Sequence, residues 1–247
     1  MSIRTDVPIH IHPDSLANLG DTLNQENTPG FQVWSVSREA LELCYEGYAL
    51  LNDTEKALLE ANPQTRIVNG RPAKVVENTK EFAAATDAAW RRMTPLIDGK
   101  VKQLRGAMTV LAERVASAVE DPKRKTSEGL SHASEVRAYV KALPQEERSA
   151  FVLQAINDGD RATVASVLHA QPFLSGLSTE AQSMLRQQAG AKFAPLDHAQ
   201  HQAAATALEY VLDASSTLGV RYGAMSKSMR LSPAEKAAEK LKALAGG

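Results

Sequence analysis

The sequence predicts a mainly α fold: a kinked long helix with a heptad seam, one small β-hairpin and a carboxy-terminal array of several helices. Three observations lead there. Ile97, Val101, Leu104, Met108, Leu111, Val115 and Ala118 recur at alternating intervals of four and three, the spacing that lines one side of a helix for another helix to cover. Aromatic residues make up only 5% of the chain and Ala is plentiful, which suits closely packed helices better than a sheet-rich core. From residue 130 onward Pro and Gly recur as stops between short helical patterns, while strand patterning is confined to one place. With 247 residues, 43% of them hydrophobic and 23% charged, the chain can bury a core without staples.

Residues 1–34 carry Pro8, Pro13, Pro29 and Gly30 among polar side chains and read as an extended arm. A helix is expected over 38–51, where Ala40, Leu41, Cys44, Tyr48 and Leu51 form an apolar stripe behind Ser35 and Ser37 as caps. Asn52 with Glu55 three residues later resembles a capping box and predicts a second short helix ending near Pro63. The hairpin is placed at 66–77, because Asn69-Gly70 suits a type I′ turn between two β-branched runs and Pro72 belongs on an edge. The long helix follows, from about Thr79 to Val119, with a kink or break expected near Met93 because Pro95 lacks an N–H and crowds the preceding turn.

Residues 35–122 thus form one helical region, 123–129 (KRKTSEG) a linker and 130–247 the helical array. In the array, helices are expected over 132–143, 145–157, 161–170, 179–190 and 198–217, and Ser232-Pro233 opens a last short amphipathic helix.

Candidate chemistry is sparse. His10, His12 and Asp14 have the types of metal ligands, but two histidines in a proline-bearing arm read as solvent-facing. Asp197, His198 and His201 lack the H-E-x-x-H pattern, and Asp197 reads as the cap of its helix with Gln200 in the box position. Cys44 sits on an apolar stripe, and His132 and His169 have no acid or nucleophile beside them. The common phosphate-binding and hydrolase motifs do not occur. The expectation is therefore no catalytic residue, no metal and no cofactor. A single cysteine excludes an intrachain disulfide and suits a reducing compartment, and the absence of a long apolar run predicts no membrane span and a cytoplasmic site of synthesis.

Net charge is −1, which argues against a general nucleic-acid binder. Its distribution is uneven: residues 1–78 hold six Lys and Arg against eleven Asp and Glu, and residues 79–126 ten against six. Arg91, Arg92, Lys100, Lys102, Arg105, Lys123, Arg124 and Lys125 could form a basic stripe for nucleic acid or for an acidic partner. The seam residues Ile97, Val101, Leu104, Met108, Leu111 and Val115 are the candidate partner-binding surface. A homo-oligomer is a possible state, but a parallel homodimer would bring Lys100 towards Arg105 of its mate. The cover is therefore expected to be another part of this chain or an acidic partner, and the helix at 38–51, with Glu39, Glu42 and Glu46, is a suitable internal candidate.

The stretch AINDGDRATVASVLHAQPFLSGLS, residues 155–178, resembles segments of uncharacterised proteins in the structural gene modules of tailed bacteriophages. That resemblance implies a virion or assembly role with protein partners such as capsid or portal subunits, and it identifies no functional residue. The leading expectation is a non-enzymatic structural or assembly protein; the alternative is a nucleic-acid-associated or regulatory protein using the basic stripe.

Overall fold

The computed structural model describes residues 3–61, 64–68, 71–75, 80–121 and 126–228. It is mainly helical. Two 3-10 helices, Ile9–Ile11 and Pro13–Leu19, lead into α1 (Gly20–Leu23) and α2 (Pro29–Ala61). Strands β1 (Gln64–Val68) and β2 (Arg71–Val75) pair antiparallel with Val68 opposite Arg71; Asn69-Gly70 lies outside the described residues. Then come α3 (Lys80–Val119), α4 (Ser127–Ala142), α5 (Gln145–Asp158), α6 (Arg161–Leu168), α7 (Pro172–Ser175), α8 (Thr179–Phe193) and α9 (Pro195–Ser228). The helix expected after Ser232 also lies outside the described residues.

The chain divides into two compact units, one of Met1–Asn18, Ser35–Leu104 and Ala207–Gly247, the other of Leu19–Trp34 and Arg105–Thr206. This is not the division at 123–129 that composition suggests. Of that stretch, 123–125 lie outside the described residues, and the rest is the start of α4, whose cap Thr126 accepts from the Gly129 N–H at 3.0 Å.

In the first unit the amino-terminal segment is not an extended arm. Its apolar side chains are few, but Val7, Ile11 and Leu16 are all buried, and short helical turns satisfy the backbone between them. Polar groups tie the segment down as well: the Arg4 N–H donates to the Tyr45 hydroxyl at 2.7 Å, and Asn52 donates to the Asp6 carbonyl at 2.6 Å. That last bond explains why α2 runs through Asn52 instead of restarting there. The Asn52 side chain bonds Asp6 and accepts from Arg221, so it caps nothing, and Ser35 and Ser37 lie inside the same continuous helix.

No break occurs near Met93, because α3 continues through Pro95. The proline has no N–H to donate to the Arg91 carbonyl, and beside it the Thr94 hydroxyl donates to the Trp90 carbonyl at 2.9 Å. Close by, α2, α3 and α9 meet at Gly47, where a Cβ would come within 2.6 Å of Met93 Cε and 3.3 Å of Leu218 Cδ2. Trp90 stacks on Tyr222 with ring centroids 4.4 Å apart, and the Tyr222 hydroxyl donates to Asp87.

The second unit packs Val119, Val140, Val152, Ile156, Val164, Val167, Leu168, Leu177 and Leu185 into one core drawn from α3 to α8. Its helices start and stop by side-chain chemistry. Asp160 caps α6 by accepting from the Thr163 N–H at 3.1 Å, and Ser178 caps α8 by accepting from Ala181 at 3.1 Å. Gly159 (φ 79°) closes α5 and Gly176 (φ 70°) closes α7 in the left-handed region.

Candidate functional site

The eight-residue helix α6 leaves its last carbonyls without partners inside the helix, and the second unit answers each with a specific group. Ala165 accepts from the His169 N–H at 3.2 Å. Arg137 of α4 donates to the Ser166 carbonyl at 3.2 Å, Gln182 of α8 to Val167 at 3.1 Å and Ala170 at 2.9 Å, and Arg186 of α8 to Leu168 at 3.1 and 2.7 Å. Gln182 is fully buried, so its bonds are costly to break.

The chain leaving α6 is therefore fixed before it enters α7. There Pro172 supplies a preset φ at the first helical position, Ser175 donates to the Pro172 carbonyl at 3.2 Å, and the Leu177 N–H returns to the same carbonyl at 3.2 Å. Arg148 of α5 holds the far end. Its guanidinium donates to Gly176 at 2.8 Å, Leu143 at 3.1 Å and Lys141 at 3.0 Å, joining the end of α4 to the cap of α7.

Between the buried Leu168 and Leu177, this clamp presents Phe173, 66% exposed, and Leu174, 41% exposed. α7 packs on α4, which exposes Leu130 and Tyr139 in turn, the latter tilted against Phe151 at 5.2 Å between centroids. An aromatic and a leucine on a held backbone lose little conformational entropy when covered, the property of a contact anchor.

The residues expected to carry function lie elsewhere. In the seam, Ile97, Leu104 and Leu111 are buried and Val101, Met108 and Val115 half-buried. Glu39 of α2 pairs with Lys100 and also accepts from the Ser35 hydroxyl, and the lysine holds its carboxyl below the usual range. Arg91, Arg92, Lys102 and Arg105 are exposed, and Lys123, Arg124 and Lys125 lie outside the described residues.

His10 and His12 do not share a side. His10 is exposed, 3.2 Å from the Thr217 hydroxyl and 3.6 Å from Asp213, whereas His12 is buried edge-on to the Tyr45 ring with Nδ1 accepting from the Asp14 N–H at 3.2 Å. The 3-10 turn at Ile9–Ile11 removes the alternation that an extended strand would give.

Asp197 is no cap: α9 already begins at Pro195, and Asp197 accepts from Arg114 Nε at 2.8 Å. Gln200 is no box partner either, being buried against Gly30. His169, His198 and His201 line a cavity of about 560 Å³. Burial, and then the charge of His201, push His198 below the usual histidine range. Burial alone pushes the Cys44 thiol up to about 12. Among the described residues no group of three His, Cys, Asp or Glu side chains is placed to hold a metal ion, and no helix is long and apolar enough to cross a membrane.

Sequence reasoning missed the clamp. Arg148, Gln182 and Arg186 stand out by no local motif, because what they bind are backbone carbonyls far along the chain; the one local signal was Pro172 followed four residues later by Gly176, the start and stop of a single turn. Compared with protein-family models, characterised proteins and solved structures, the chain matches none.

Proposed function

We propose that this chain is a non-enzymatic structural or assembly protein that acts through protein contacts, as a virion component docking on capsid, portal or tail proteins of a tailed phage. The observation that carries the reading is the clamped presentation of Phe173 and Leu174. Three separate side chains, Arg148, Gln182 and Arg186, are used to fix one turn whose outward residues are apolar and do not serve the core. The phage-like stretch 155–178 is the stretch that contains this turn, so the resemblance and the geometry bear on the same residues. The partner surface is an apolar recess that accepts a phenyl ring and a leucine.

The test is particle composition. Particles purified from the native source contain the chain at fixed stoichiometry, and a Phe173→Ser, Leu174→Ser double variant that melts like the parent is left out of them. Absence of the parent chain from the particles, or full incorporation of the folded variant, overturns the reading. The nucleic-acid alternative rests on exposed Arg91, Arg92, Lys102 and Arg105, but Lys100 and Arg114 are already engaged by Glu39 and Asp197.

A further inference from the structure

The cavity of the second unit has a lining that the contact role of α7 does not use. Its lining joins apolar Val115 and Ala116 of α3 to His169, the residue that ends α6, Arg186 of α8 and His198 and His201 of α9. At about 560 Å³ it falls within the size range of small-molecule sites, roughly 300–1,000 Å³. Arg186 is the one permanently charged side chain in the lining, and no carboxylate lines it.

The state of Arg186 decides what the cavity suits. Its Nε and Nη2 are spent on the Leu168 carbonyl, a neutral acceptor, which orients the guanidinium and leaves its charge without a counter-ion; it forms no ion pair among the described residues. Nη1 keeps both of its donors. His198 Nε2 lies 3.1 Å from the Gln202 amide nitrogen, and burial first, then the charge of His201, disfavours its protonation. An arriving anion would give the exposed Arg186 guanidinium the counter-ion it lacks. The apolar wall, meanwhile, offers nothing to a small hydrated ion and a surface to a hydrocarbon body.

We infer that this cavity binds a small monocarboxylate with an unbranched apolar body, its carboxylate on Arg186 Nη1 and its chain along Val115 and Ala116. A phosphate dianion fits less well, since a single guanidinium supplies the only fixed charge.

Isothermal titration of the full chain with octanoate, acetate and octylamine tests this. Octanoate should bind saturably at one site with a dissociation constant below about 1 mM, and acetate and octylamine at least about tenfold more weakly. Arg186→Gln should weaken octanoate at least about tenfold. Because Arg186 also holds the end of α6, a second variant is needed, and Ala116→Trp fills the cavity from an exposed wall position without touching that bond. It should abolish binding while the melting temperature stays that of the parent. No saturable octanoate binding by the parent, equal binding of octylamine, or undiminished binding by folded Ala116→Trp overturns the inference.

Discussion

Arg148 and Gly176 secure each other: the guanidinium Nη1 donates to the glycine carbonyl at 2.8 Å, and the glycine stands at φ 70°, where a Cβ would come within 2.7 Å of that same nitrogen. A side chain at 176 would therefore meet backbone strain and displace the clamp together. Gly176→Ala should lower stability by about 1–2 kcal/mol, beyond what the lost glycine freedom of the unfolded chain returns. Urea denaturation measures the loss, and amide exchange at 173–177 should quicken. Unchanged exchange would mean that the turn is held without Arg148.

Gln200 makes the corresponding bond at Gly30. Gln200 is fully buried: its Oε1 accepts from the buried Gly30 N–H at 3.2 Å, and its Nε2 donates to the half-buried Thr22 carbonyl at 3.2 Å and Thr28 hydroxyl at 2.9 Å. Gln200→Leu strands those groups and should cost about 1–3 kcal/mol. A Cβ at Gly30 would lie 2.5 Å from Gln200 Cδ, so Gly30→Ala should cost about 1–3 kcal/mol by overpacking. Combined with Gln200→Ala, the Gly30→Ala penalty should shrink; additive losses in denaturation would show that the two sites are independent.

How far the sequence spoke for itself follows from the range of each interaction. Helices α5, α6 and α8 were legible because their signals are local: Asp160 and Ser178 cap, and Gly159 stops, within four residues of what they control, whereas the linker expected at 123–129 hid the start of α4 at Ser127 and its cap Thr126. Asn52 misled because its partners, Asp6 and Arg221, are distant in sequence and outcompete the local cap. The amino-terminal segment misled for a related reason: Ile11 and Leu16 look too few to order a chain until α2 is there to receive them. For the clamp of α7, the acceptors are carbonyls, which no residue letter reveals.

Acid should release the amino-terminal tie. Arg4 bonds Asp6 at 2.8 Å and Asp53 at 2.6 Å. Asp6 is lowered to about 2, first by its bond from Arg4, against some desolvation, and with help from Asn52. A carboxyl lowered on folding contributes stability above its unfolded value, near about 4, and loses it as pH falls to about 2. Melting curves of Arg4→Met should lie below the parent at pH 6 and coincide with it at pH 2. Both groups are exposed, so the gap at pH 6 should be small. A constant gap across this range would remove the ion pairs from the explanation.

Cys44 should be inert. The thiol is buried on α2 and raised to about 12, so little of the reactive thiolate exists at neutral pH. Ellman's reagent should label the chain slowly in buffer and at once in denaturant; rapid labelling of the folded chain would contradict the packing of α2.

The central claim is that Phe173 touches another protein, and site-specific photo-crosslinking reads this directly. With p-benzoylphenylalanine in place of Phe173, and at exposed Val220 as the control, irradiation is followed by mass spectrometry of the adducts from the native source. A discrete adduct from position 173 to one structural protein of the particle, absent from position 220, is the result expected. No adduct at 173, or the same scattered products from both positions, would contradict the account.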